Sequence, residues 1–330
     1  MNPTTLIASP AAELAGSSIK NLPVSLFGSV MGIAGLALAW RAAVQVLGAW
    51  PLIGDAIGWI AVITFIALVL AHGAKSAMHR AVVLNEFHHP VTGNFYGTVP
   101  IALLLISAVL APHAPRLAHG VWMAGAVMAV VLSYIVVSRL LRGNLDPALA
   151  VPAWLIPGVA TLDVTVTGSS LPFAWAEQTN LFALAVGSVL ALVFFTIILA
   201  RLVHREPLAP AMRPSLMILV APFEVGFLAY TNFTGTVDGI AAALFFFGLF
   251  LFAVLLPMVF RSDVPFTPGW WAISFPIAAL VNAALKYAAA HPSGISTTLA
   301  AVLLLFLSGA LLVLAMRTLS TLLNGKLLAG

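Results

Sequence analysis

Apolar runs of about 20 residues recur along the whole chain, separated by short clusters of charge, proline and glycine. That length matches an α-helix crossing the ~30 Å hydrocarbon core of a bilayer. Transmembrane β-barrels instead alternate apolar and polar residues in segments of about ten. Breaking the sequence at charges and turn residues predicts ten spans, near 22–47, 56–79, 96–112, 117–140, 148–168, 179–203, 211–233, 237–260, 268–289 and 295–318. Gln178–Ala200 and Gly239–Phe260 carry no charge, whereas Asp163 interrupts the fifth span and Glu224 sits near the middle of the seventh. The expected organisation is one membrane domain, 21–320, between a polar tail, 1–20, and a short C-terminal tail, 321–330. The first nineteen residues lack a basic segment followed by an apolar core, so they read as a tail and not as a cleaved signal peptide.

Composition agrees with a bilayer environment. Only 7% of the 330 residues are charged against 62% hydrophobic, too little polar surface to cover a water-facing globule. Lipid offers backbone groups no hydrogen bonds, which leaves helices for runs of this length. The net charge of +4 comes from Lys and Arg scattered singly, so it is read as a topology signal and not as a nucleic-acid footprint. Lys20, Lys75, Arg80, Arg139, Arg142, Arg201, Arg205, Arg213, Arg261, Arg317 and Lys326 fall on one side of the predicted spans; only Arg41, Arg116 and Lys286 fall on the other. The bias places both termini in the cytoplasm, and one missed span would scramble it.

Prolines form a second pattern. Pro23, Pro100, Pro152 with Pro157, Pro222 and Pro276 lie in or at the start of spans one, three, five, seven and nine, roughly 55 to 77 residues apart. The alternation suggests five hairpins, each pairing a kinked helix with a straight one. Proline frees backbone groups, tolerated at membrane depth only inside protein or along a water-filled cavity. The odd helices are therefore expected to form an inner ring around a pore. Gly28, Gly32 and Gly35 give span one a small-residue face that suits close helix packing or a narrow lumen.

Specific motifs then carry a resemblance. Phe87-His88-His89-Pro90-Val91-Thr92-Gly93-Asn94-Phe95 is similar to the HPV-x-x-NF signature of the TehA/slow-type anion channel family, which includes malate transporters and sulfite efflux pumps. Phe27-Gly28 through Gly32 to Gly35-Leu36 resembles its FG-x-x-x-G-x-x-GL opening. Pro152-Ala153-Trp154-Leu155-Ile156-Pro157 resembles PAW-x-x-P, and Trp270-Trp271-Ala272-Ile273-Ser274-Phe275-Pro276 resembles WWA-x-x-FP. The resemblance implies an all-α membrane protein of ten helices in five hairpins around a quasi-fivefold pore, commonly a homotrimer, with a phenylalanine gate matched by Phe275. One departure is Ala221-Pro222-Phe223-Glu224, where the family usually has an uncharged residue in place of Glu224. A carboxylate in the lumen would repel anions unless protonated or paired.

Few residues offer other chemistry. There is no cysteine, hence no thiolate site. The histidines show no metal-ligand spacing, no HExxH or GxSxG stands in the chain, and no cofactor or enzyme activity is expected. His88 and His89 are adjacent and read as polar loop groups. Asp163, Asp238 and Lys286 lie near span ends and read as interfacial, Lys286 by snorkelling, with attraction of anions as the lesser alternative for it. Glu224 reads as a structural hydrogen-bonding group or a proton-coupling one. The expected function is a gated passive channel for small anions in a bacterial inner membrane. The alternative is a proton-coupled transporter or efflux protein for dicarboxylate, sulfite or another oxyanion.

Overall fold

A computed structural model of the protein describes residues 18–143 and 146–328; residues 1–17 of the expected N-terminal tail lie outside the described residues. The described residues form eleven α-helices and no strand: α1 (Phe27–Leu47), α2 (Pro51–Met78), α3 (Arg80–His88), α4 (Thr98–Leu110), α5 (Pro115–Leu141), α6 (Ile156–Gly168), α7 (Ala176–His204), α8 (Ala221–Thr234), α9 (Gly239–Val259), α10 (Ser274–Ala290) and α11 (Gly294–Leu323). Among the described residues, nine helical segments are long and apolar enough to cross a membrane. The fifth expected span is shorter, a four-residue 3-10 turn at Pro152–Leu155 leading into the thirteen-residue α6. The sequence reading did not anticipate α3, a nine-residue helix whose residues are all at least partly exposed.

Helix neighbours define the architecture. α1 packs on α2, α4 on α5, α6 on α7, α8 on α9 and α10 on α11, giving five hairpins. The first members also touch in sequence, α1 to α4, α4 to α6, α6 to α8 and α8 to α10, and α10 returns to α1. The result is a closed ring of five helices inside a second layer. In an eighteen-residue apolar stretch of each inner span containing α4, α8 or α10, 72% of residues are buried, against 22–39% in the same stretch of the outer helices. The outer helices turn Leu70, Phe182, Leu192, Phe250 and Leu305 outward, as a hydrocarbon solvent permits.

The prolines act differently from mid-helix kinks. Each inner span begins in 3-10 form, at Val24–Leu26, Thr92–Gly97, Pro152–Leu155, Pro210–Val220 and Pro268–Ile273, and then becomes α. Pro100, Pro157, Pro222 and Pro276 are the second or third residue of α4, α6, α8 and α10. There an α-helix has no use for the missing N–H, so these residues mark the junction of the two helix types. Pro23 stands outside α1, as the cap of the first 3-10 turn. The α segments of the ring after α1 have 13 to 17 residues and would span only about 20–25 Å alone; the steeper 3-10 lead-in supplies the rest.

Ring closure depends on missing side chains. A Cβ at Gly32 would overlap the side chain of Ser274, and one at Gly35 would lie 2.7 Å from Ala278 Cβ. With that space vacant, the Ser274 hydroxyl reaches Gly28 O at 2.9 Å, sharing its single hydrogen with Trp271 O at 2.7 Å, and Asn282 Nδ2 donates to Gly35 O at 2.9 Å. Charged residues fasten the ends of the bundle. The buried Lys75 ammonium donates to Leu22 O at 2.8 Å and to both Glu86 carboxylate oxygens at 2.7 and 2.8 Å. At the opposite end Arg41 pairs with Asp55 at 2.8 Å and donates to Val109 O at 3.0 Å, joining α1, α2 and α4.

Two outcomes are expected from this packing. Gly32→Ala forces α1 and α10 apart and costs about 1–3 kcal/mol, whereas Gly309→Ala, with open space around its Cβ position, is tolerated. Thermal unfolding in detergent compares them; equal melting temperatures would show that the α1–α10 contact does not close the ring. Lys75→Gln removes the charge from a buried hydrogen-bonded cluster and lowers stability by about 2 kcal/mol, read in the same assay.

Candidate functional site

The ring encloses two cavities. One is narrow, opens toward the 3-10 lead-ins and is almost wholly apolar, with Gly28, Ile101, Val159, Ile218, Trp271 and Phe275 in its wall. The other is wider, lies toward the opposite end and includes Gly35, Asp163, Asn232, Phe275, Asn282 and Lys286. Among the described residues Phe275 alone lines both. It is the second residue of α10, next to Pro276, and so sits at the junction where 3-10 geometry gives way to α. Gly28 lines the apolar cavity beside Trp271, whereas Gly32 and Gly35 serve the α1–α10 contact. The three glycines of one sequence pattern thus divide between lumen and packing.

The wider cavity holds polar groups that the sequence reading placed elsewhere. Lys286 does not snorkel outward. It lines the cavity, and its Nζ donates to Asn232 Oδ1. Asn232 Nδ2 in turn donates to Val166 O at 2.7 Å, so a hydrogen-bonded chain links α10, α8 and α6. Asp163 is not interfacial either: it is 1% exposed, lies in the cavity wall, and its Oδ2 has no hydrogen-bond partner among the described residues. The sequence did hold a signal. Phe275, Ala278, Asn282 and Lys286 follow helical spacing and form one stripe of α10, all in this lining. Asp238 is at the surface as expected; it caps α9 by accepting from the N–H groups of Ile240 and Ala241 at 3.0 Å each. Those bonds, the Ala241 one foremost, hold its carboxyl below the usual carboxylate range.

Glu224 stands outside the lumen. It is fully buried, but α8 turns Val225, Leu228 and Asn232 toward the cavity, and Glu224 lines neither chamber. Its side chain instead lies against Gly248 of α9, where an added Cβ would overlap the carboxylate. Neither carboxylate oxygen has a hydrogen-bond partner among the described residues. The repulsion expected from a lumen carboxylate at this position therefore does not arise, because the Glu224 side chain is directed at α9 and lines neither cavity. Of the two histidines expected in a loop, His88 is instead the last residue of α3, its Nδ1 bonding Leu84 O at 2.7 Å; His89 follows the helix, and its Nδ1 accepts from the N–H groups of Val91 and Thr92 at 3.2 and 3.1 Å.

Comparison with known proteins agrees with this architecture. The chain is 27% identical over 271 residues to a tellurite resistance protein TehA homolog of Haemophilus influenzae, covering 81% of each protein. It is 25% identical to the S-type anion channel SLAH2 of Arabidopsis thaliana, over 87% of this chain and 56% of that one. It is 26% identical to the guard cell S-type anion channel SLAC1 of the same plant, over 86% of this chain and 52% of that one. The chain thus spans little more than half the length of the plant relatives. A family model described as "SLAC1: Voltage-dependent anion channel" matches residues 21–319, all of the helical bundle but the last turn of α11, and the chain belongs to that family.

Proposed function

We propose that the protein is a gated passive channel for small anions, closed by the side chain of Phe275. The observation that carries this reading is the shared position of Phe275 in the walls of both cavities. An aromatic ring across a narrow apolar passage excludes water and so blocks a hydrated ion; rotation of the ring reopens the path. The surroundings support the same reading. The narrow cavity carries no charged group, so a permeating ion meets no site that would hold it. Lys286 supplies positive potential at the wider mouth, and the relatives named anion channels share most of the chain.

The rival reading, proton-coupled transport, took Glu224 as its coupling group. The carboxylate's position against Gly248, outside both cavities, counts against that role. On the channel reading the end bearing Lys75, Arg139 and Arg201 faces the cytoplasm of a bacterial inner membrane, by the bias of eleven basic residues against three. Assembly as a homotrimer with one pore per subunit follows the family resemblance.

Two variants test this function. Phe275→Ala in proteoliposomes raises anion current on the order of tenfold or more, equivalent to about 1.4 kcal/mol or more of removed barrier. Unchanged current in a correctly folded variant would remove Phe275 as the gate. Glu224→Gln leaves both the size of the flux and its pH profile as in the parent. Loss of a pH dependence on that substitution, together with saturable uptake, would favour the coupled transporter.

A further inference from the structure

A groove on the outer surface of the bundle lies between the end of α9, the outer helix α11 and the 3-10 lead-in to α10. Leu305, Gly309, Val313 and Arg317 line it at four-residue spacing and so form one stripe of α11. Twelve residues of helix cover about 18 Å, close to the ~15 Å between the headgroups and the centre of a bilayer. Leu305 and Val313 are exposed, and an added Cβ at Gly309 would meet open space, so the stripe is indented and not filled. Buried Leu314 and Ile273 also line the groove. Phe260, at the end of α9, and Trp270 of the lead-in complete the apolar wall, their ring centroids 5.7 Å apart.

Two guanidinium groups, Arg261 and Arg317, share that lining. Arg261 Nε donates to one Asp263 oxygen at 3.0 Å, and Arg213 Nη1 donates to the other at 2.9 Å. One carboxylate thus serves two arginines, and the Nη groups of Arg261 have no described partner. Arg317 lies over the Phe266 ring at 5.5 Å and makes no hydrogen bond or ion pair among the described residues. An apolar channel of leaflet depth therefore ends at two guanidiniums with donors to spare. A phosphodiester accepts from such forks, whereas a zwitterionic headgroup adds a cation beside them. We propose that this groove binds one anionic phospholipid per chain, with its phosphodiester on Arg317 and Arg261 and one acyl chain along Leu305, Gly309 and Val313. The site is separate from the lumen and does not rest on the channel reading. Because Trp270 and Ile273 belong to the lead-in of α10, the bound lipid braces the segment that runs directly into Phe275.

The full chain in a neutral detergent is titrated with dioleoylphosphatidylglycerol and, separately, with dioleoylphosphatidylcholine. Native mass spectrometry counts the lipid held, and the melting midpoint is followed in parallel. Phosphatidylglycerol is expected to bind at one per chain, on the order of tenfold more tightly than phosphatidylcholine, and to raise the midpoint. Equal affinity for the two lipids would overturn the proposal, and that comparison needs no substitution. Arg317→Gln breaks no ion pair or hydrogen bond of the described fold and is expected to abolish most of the preference. Gly309→Leu fills the indentation and weakens phosphatidylglycerol binding on the order of tenfold, the scale of a buried leucine side chain. Undiminished lipid binding by both variants would sink the assignment. Glycerol phosphate supplies the anion without a chain and is expected to leave the midpoint unmoved. If it stabilises the protein as well as the lipid does, the site belongs to a free phosphate and the lipid proposal is wrong. Dissociation of an oligomer by either substitution, with the lipid preference intact, would show that the face seats a second copy of the chain instead.

Discussion

The close approach of α1 and α10 is the contact on which the architecture depends. Four of the five junctions in the inner ring join helices that follow one another, hairpin by hairpin; this one joins the first to the last. Lipid tails are as apolar as leucine, so helices gain little from hiding apolar surface from one another in a bilayer. Closure must come from close backbone approach and from hydrogen bonds. Gly32 and Gly35 provide the first, and Ser274 and Asn282, bonded to the carbonyls of Gly28 and Gly35, provide the second. Because Gly28 and Phe275 stand on the two helices that meet here, the same contact sets the shape of the lumen.

A division of labour follows from the closed ring. The outer helices are long and regular and spend their exposed faces on lipid. The inner helices are α only in part, and the turn from 3-10 to α falls at the same place around the ring, marked in four of them by proline. Irregular backbone is admissible at that depth because it is covered by protein or faces the cavity. Phe275 occupies this junction in the ninth expected span, in the wall of both cavities, while the stripe of Asn282 and Lys286 continues along the wider one.

Charge is divided in the same way. Lys75 and Glu86 clasp α2, α3 and the approach to α1; Arg139 donates to Phe87 O at 2.8 Å and lies over the Phe87 ring at 4.4 Å; Arg213 and Arg261 share Asp263 at 2.9 and 3.0 Å. The Asp263 carboxyl is held below the usual carboxylate range, mainly by the hydrogen bond from Arg261. These groups serve both as topology signals and as fasteners at one end of the bundle. Asp163 and Lys286 differ because their ring position places them in the cavity wall, where Lys286 bonds Asn232 and Asp163 Oδ2 has no partner among the described residues.

The sequence alone determined the membrane class, the near positions of the spans and the alternation of two helix kinds, because each rests on local properties: run length, charge placement and proline spacing. Motifs from Phe27 to Pro276 also named the family, since their order survives without any knowledge of contacts. The direction in which a buried charge points was decided only by the tertiary structure. Glu224 and Asp163 are both carboxylates inside predicted spans, and nothing local separates them. One turns toward Gly248 of a neighbouring helix and the other toward the lumen, because the rotation of α8 and of α6 about their axes is fixed by the helices packed on every side. Lys286 was misplaced for the same reason: a lysine near a span end snorkels outward only if its face meets lipid, and the face α10 presents there is closed by α8 and α1.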